Sequence, residues 1–168
     1  MDIRDIFDCI MAGDLNGVKA LIKSGVDIEA RDHCERTALY IASLFGGLEI
    51  VKLLVNSGAK LDVKCRGLTA LYIASSFGDL EIVKILAESG ADIESMNKHG
   101  NTALNEASIT GELEVVKYLI QRGADIGSEN GSENGKGMST YDREMKRGDP
   151  EIIELMDGGG TATKSARK

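Results

Sequence analysis

Apolar residues along this chain come in short bursts at three- and four-residue spacing, and glycine interrupts them at regular intervals. Leu39 and Ala42, then Leu48, Val51, Leu53 and Leu54, fit two short helices on either side of Gly46. The same words return. Leu39-Tyr40-Ile41-Ala42-Ser43 recurs as Leu71-Tyr72-Ile73-Ala74-Ser75, and Gly46-Gly47-Leu48-Glu49-Ile50-Val51-Lys52 as Gly78-Asp79-Leu80-Glu81-Ile82-Val83-Lys84. A third copy reads Gly111-Glu112-Leu113-Glu114-Val115-Val116-Lys117. Glycines at 25, 58, 90 and 123 are separated by 33, 32 and 33 residues. That period predicts a supersecondary unit that cannot bury its own apolar face and must stack on its neighbours.

Polar residues punctuate each unit as helix boundaries require. Thr37, Thr69 and Thr102 precede the first helix, where a hydroxyl can accept from an otherwise orphaned N–H. Asp79 and Glu112 open the second helix, where a carboxylate meets the positive end of the helix dipole. Glu49 with Lys52, Glu81 with Lys84 and Glu114 with Lys117 are pairs three residues apart, expected on a solvated face and remote from any chemistry.

These residues resemble the ankyrin repeat, whose pattern runs Gly-x-Thr-Pro-Leu-His-x-Ala-Ala, then Gly-x-x-Glu-Ile-Val-x-Leu-Leu, then Gly-Ala-Asp. The third unit supplies Gly67-Leu68-Thr69-Ala70-Leu71-Tyr72-Ile73-Ala74-Ser75 and Gly90-Ala91-Asp92; the fourth supplies Gly100-Asn101-Thr102-Ala103-Leu104 and Gly123-Ala124-Asp125. Ala38, Ala70 and Ala103 stand at the family's Pro position, and Tyr40, Tyr72 and Asn105 at its His position. Alanine is tolerated there because the first helical N–H has no helical partner anyway, so the same fold with softer turns is expected.

The resemblance implies an all-α fold with short β-hairpin fingers, an ankyrin-repeat solenoid of about five stacked helix-turn-helix units. One domain is expected over residues 1–157, with an N-terminal cap at 1–31, units at 32–63, 64–96 and 97–129, and a degenerate C-terminal cap at 130–157. In the first cap, Ile6, Phe7 and Ile10 form an apolar stripe, while Asp2, Arg4, Asp5 and Asp8 keep the other face polar. The last cap is preceded by a tandem Gly-Ser-Glu-Asn repeat at 127–134, read as a mobile loop, and residues 158–168 are read as a disordered basic tail.

Composition narrows the function classes. Aromatic residues make up only 4% of the 168, so the core must be aliphatic. A formal charge of -7 argues against a nucleic-acid backbone or an anionic membrane surface as the target, since both reward clustered cations. Three cysteines, Cys9, Cys34 and Cys65, are too few and too scattered for a disulfide framework, and no signal peptide or bilayer-length apolar run occurs. An intracellular, cytoplasmic location is expected, and a monomer. No cofactor is implied.

The remaining polar residues offer little chemistry. The segment Gly131 to Gly137 is a poor imitation of a phosphate-binding loop, with one residue too few between its glycines and Gly137 where a hydroxyl should hold the metal. His33, Cys34, Cys65 and His99 all fall on fingers, yet a zinc ion needs ligands within ~2.0–2.3 Å, much closer than adjacent fingers approach. No nucleophile stands at a fixed offset from either histidine, so a catalytic role is not expected. Ankyrin repeats in general can be hydroxylated on a hairpin Asn, but the matching positions here are Glu29, Asp62, Glu94 and Gly127.

The resemblance instead points to a concave binding face built from fingers and first helices. The family's variable contact positions, carried onto this sequence, are Arg31, His33, Cys34 and Arg36; Leu44 and Phe45; Cys65, Arg66 and Leu68; Ser76 and Phe77; Met96, Lys98, His99 and Asn101; and Ile109 and Thr110. Met11, Leu44, Phe45, Phe77 and Ile109 are expected to form an apolar ridge along successive first helices. The ridge either contacts a partner or folds under the neighbouring finger to stabilise the stack. Either way the expected function is protein binding, as adaptor or steric inhibitor, with a self-assembling structural solenoid as the alternative.

Overall fold

A computed structural model describes residues 5–127 and 138–159. Ten helices follow one another as five pairs: α1 (Ile6–Met11) with α2 (Leu15–Lys23), α3 (Ala38–Leu44) with α4 (Leu48–Asn56), α5 (Ala70–Ser76) with α6 (Leu80–Glu88), α7 (Ala103–Thr110) with α8 (Leu113–Gln121), and α9 (Thr140–Arg147) with α10 (Pro150–Gly159). Each helix packs on its pair-mate and on the same helix of the neighbouring pair. The result is the expected solenoid. α10 runs to Gly159, two residues beyond the expected domain end, and the Gly-Ser-Glu-Asn loop and most of the tail lie outside the described residues.

The three threonines cap as expected. Thr37, Thr69 and Thr102 each accept the backbone N–H three residues on, at 3.3, 3.2 and 3.3 Å. In the fourth pair Asn105 completes a reciprocal box, its side chain accepting from the Thr102 N–H at 2.9 Å. Asp79 and Glu112 occupy the N-cap of their helices, at the dipole's positive end as expected, and make no side-chain cap bond. They turn instead toward the preceding repeat. The Glu112 carboxylate covers Gly78, whose φ of +72° already disfavours a side chain, so any Cβ there would strike it.

Small residues set the geometry of the stack. Ala42, Ala74 and Ala107 are fully buried along the first helices, with Ala38, Ala70 and Ala103 nearly so. These alanines let the first helices of the first four pairs pack more extensively on one another than the second helices do. The core between the rows is aliphatic: Val18, Ile41, Val51, Leu54, Val83, Leu86, Leu104, Val116, Leu119 and Ile152 are fully buried. At the first cap Ile6 and Ile10 are buried as expected and Phe7 packs partly against the core, but the stripe also includes Cys9. Asp5 caps α1 by accepting from the Asp8 N–H at 2.8 Å.

The last pair departs from the alanine rule. Glu144 of α9 takes the place that Ala42, Ala74 and Ala107 hold in the other repeats, and it is fully buried. Its Oε1 accepts from the Ser108 hydroxyl of α7 and pairs with the Arg147 guanidinium at 2.8 Å. Ser43 and Ser75 are equivalent to Ser108 and equally buried, but the next repeats offer Ala74 and Ala107, and neither hydroxyl has a partner among the described residues. The contrast gives a paired prediction. Ser108→Ala, which strips a charged acceptor of its donor, should cost about 1.5–3 kcal/mol in urea unfolding, whereas Ser75→Ala should be neutral or stabilising. Equal losses for the two variants would contradict this reading.

Candidate protein-binding face

Between consecutive pairs the chain runs out into a finger and back. Among the described residues the expected β-hairpins reduce to isolated antiparallel bridges, Arg31 with Thr37 and Cys65 with Leu68. Side-chain turns carry the rest of the order. Asp32 Oδ1 accepts from the N–H groups of Cys34 and Arg36 at 2.8 and 2.9 Å, and Asn97 Oδ1 accepts from His99 and Asn101 at 2.8 and 3.0 Å. The third unit is one residue short, and the loss falls here. Its turn contains only Arg66 and Gly67, both left-handed at φ +54° and +86°.

A second set of carboxylates binds repeat to repeat. Glu29 accepts the Lys60 N–H at 2.8 Å, Asp62 that of Asp92 at 2.9 Å, and Glu94 that of Asp125 at 2.9 Å. These are the positions where the family can carry a hydroxylated Asn, and here they clip each finger base to the next. On the inner side Tyr72 occupies the family's His position. Its hydroxyl donates to Glu106 at 2.6 Å and accepts from Asn97 at 3.0 Å, tying α5 to the next finger and to α7. Burial first, then the Glu106 bond and charge, push that phenol well above the usual range.

The sequence-derived contact residues separate by exposure. Arg31, His33, Arg66, Lys98 and His99 are exposed on the fingers, and Phe45, Phe77, Ile109 and Thr110 at the ends of the first helices. Cys34, Arg36, Ser76 and Asn101 are half-buried. One expectation needs correction: Cys65 is wholly buried beneath its turn. Leu44 and Leu68 are half-buried, each packing partly against the core.

The exposed apolar residues expected on a ridge fall at two register positions. Phe45 and Phe77, 57% and 59% exposed, are the C-caps of α3 and α5 and immediately precede the turn glycine. Ile109 and Met11, 41% and 49% exposed, precede that glycine by two residues, in register with the half-buried Leu44. Exposed Met96 and Met145 were not expected on a ridge or missed altogether, and no sequence period singles them out.

The histidines and cysteines do not form the cross-finger set considered from sequence. Asp32, His33 and Cys34 instead offer ligand atoms within 4.8 Å of one another. Asp32 is already engaged: besides the two N–H groups, its Oδ2 accepts from Arg36 Nε at 2.8 Å and pairs with Nη2 at 2.7 Å. Burial alone would raise its pKa, but the Arg36 bond, the two N–H bonds and the Arg36 charge together hold it below the usual carboxylate value. With its lone pairs committed, this carboxylate is a finger brace rather than a metal ligand.

The repeat geometry agrees with the sequence comparisons. A family model described as "Ankyrin repeats (3 copies)" matches residues 6–97, and one described as "Ankyrin repeats (many copies)" matches 76–120. The chain belongs to the ankyrin-repeat family, whose repeats are general protein–protein interaction modules. Among curated proteins it is similar to Serine/threonine-protein kinase 12 of Arabidopsis thaliana, 44% identical over 54 residues, covering 32% of this chain and 12% of that protein. It is also similar to Inversin of Homo sapiens, 39% identical over 51 residues, covering 30% of this chain and 5% of that protein. Inversin of Danio rerio matches over the same length at 37%, again 30% of this chain and 5% of the relative. The chain thus spans only a small part of these relatives. Among the described residues no helix is long and apolar enough to cross a membrane.

Two carboxylates of this scaffold should titrate with opposite consequences for stability. Asp32 has a folded pKa below its ordinary 3.8, so its contribution is present above that pH and is lost as pH falls through the folded value. Asp79 is raised above 3.8 by burial, so its ionised form opposes folding at neutral pH and the penalty fades as pH falls toward 3.8. Asp32→Asn should therefore lower Tm at neutral pH by about 2–4 °C. Asp79→Asn should raise it by about 1–2 °C, a gain kept small by solvent screening. On acidification the Asp79 difference should vanish first, which thermal melts across pH would show.

Proposed function

We propose that this protein is a non-catalytic binding module that holds a partner protein against its concave face, acting as an adaptor or a steric inhibitor. The observation that carries the reading is the pair Phe45 and Phe77. Both are exposed by more than half and repeat at the same place on adjacent first helices, whereas the stretches 38–43 and 70–75 of the same helices are buried. Large apolar side chains in register beside polar fingers are what an interface anchor requires. Binding by a preformed groove loses little conformational freedom, so affinity follows from shape without turnover.

The placement of titratable groups supports the non-catalytic part. Asp32, Glu29, Asp62 and Glu94 are committed to backbone N–H groups, and Tyr72 and Glu106 to each other, so these groups serve structure. The similarity to a kinase and to inversin covers only the repeats, and supports a binding role without naming a partner. Self-association through the same phenylalanines is the second reading, since their exposure would serve a second copy equally well.

A pull-down from native-host lysate with Phe45→Ser/Phe77→Ser beside wild type tests the reading. Because both rings are exposed, circular dichroism should show the double variant folded, and a partner captured by wild type should be lost. A partner retained by the folded variant would remove the ridge from the interface. Sedimentation equilibrium across a hundredfold concentration range separates the alternatives: constant mass supports a monomeric binder, and mass that rises with concentration supports self-assembly.

A further inference from the structure

The cations on the fingers are not equivalent, and the difference specifies a partner. In the second repeat they are answered locally: Arg31 faces Glu35 at 3.7 Å and Arg36 is locked to Asp32 at 2.7 Å. Arg66 and Lys98, on the third and fourth fingers, are exposed and form no salt bridge among the described residues. Lys64 is exposed too, and its ammonium donates to the Met96 carbonyl at 2.7 Å and forms no salt bridge among the described residues.

The shortened turn brings these charges together. With one residue fewer, the third finger folds back at Arg66 and Gly67 and rests on the fourth. A Cβ on Gly67 would lie 3.8 Å from the Lys98 N and 3.9 Å from its Cβ. Arg66 is thereby held in a left-handed backbone that a long side chain seldom adopts. Like charges gathered at adjoining tips repel one another, and a ligand carboxylate relieves that repulsion. The chain as a whole carries -7, so this cluster is a local exception against an acidic background. Exposed Met96 adjoins it through the Lys64 bond, and Phe77 stands at the far end of α5 from the third finger.

We propose that the partner presents an acidic peptide segment whose carboxylates dock on Lys64, Arg66 and Lys98 while its apolar residues lie along Phe45 and Phe77. The proposal rests on the concave-face reading and adds the chemistry of what binds there. Packed helices lie about 8–10 Å apart, so the segment must offer apolar anchors at about that spacing, flanked on the finger side by Asp or Glu. The cations steer encounter and fix direction, and the rings supply the desolvated contact.

A random peptide library displayed on phage and panned against the full chain tests this, with selected peptides synthesised and measured by fluorescence polarisation. The expected winners are rich in Asp or Glu and apolar residues. Arg66→Glu with Lys98→Glu should weaken them at least about tenfold, and so should Phe45→Ser/Phe77→Ser. Arg66→Asn with Lys98→Gln is a second, gentler pair, because Asn suits the left-handed backbone; circular dichroism checks both pairs, and this one should also weaken binding. Winners without acidic residues, or acidic winners indifferent to both charge pairs yet lost with the Phe variant, overturn the proposal and leave the concave face standing. Winners bound equally by every variant overturn both. Failure to select any peptide, or tighter binding of a single-stranded oligonucleotide that the charge pairs abolish, overturns the acidic-peptide proposal as well.

Discussion

Neighbouring repeats depend on one another because no helix pair in this chain has enough apolar surface to fold around itself. Each pair buries one side against the previous repeat and one against the next, and the alanine row of the first helices sets how close they come. That closeness determines what else is possible. It leaves little room for large side chains at the alanine positions; Tyr40 and Tyr72 are buried elsewhere on this row, and the most exposed aromatic residues stand at the helix ends. Phe45 and Phe77 are found there.

Polar groups fasten what the apolar contact holds. The bonds from Glu29, Asp62 and Glu94 to the backbone of the following repeat are local copies of one device, repeated with the period of the chain. Glu144 is a different device used once. At the C-terminal end, where the alanine position is occupied by a carboxylate, the Ser108 hydroxyl and the Arg147 guanidinium both meet its Oε1, while its buried Oε2 has no hydrogen-bond partner among the described residues. The last repeat is therefore joined by a polar contact that the internal interfaces lack.

The same economy of space shapes the binding face. Fingers of equal length would present equivalent turns, as the second and fourth do with Asp32 and Asn97. Deleting one residue from the third removes that bracing carboxylate or amide, buries Cys65 and brings Gly67 against Lys98. A difference of a single residue in the 33, 32, 33 spacing thus separates a neutralised finger from an open cluster of charge.

By itself the sequence determined the repeat, the helix pairs, the threonine caps and the family, because these depend on spacing along the chain and on bonds three or four residues away. It also marked Phe45, Phe77 and the finger cations as candidates. Only the tertiary structure decided which candidates face outward, since Leu44, Leu68 and Cys65 differ from their exposed neighbours by the direction of one bond relative to the adjoining repeat. It likewise decided that the Asp79 and Glu112 carboxylates lie toward the turn glycines of the preceding repeat, that Glu144 finds Ser108, and that Gly67 lies against Lys98. Each of these joins residues about thirty positions apart, and nothing local in a sequence encodes where a neighbouring repeat will place its atoms.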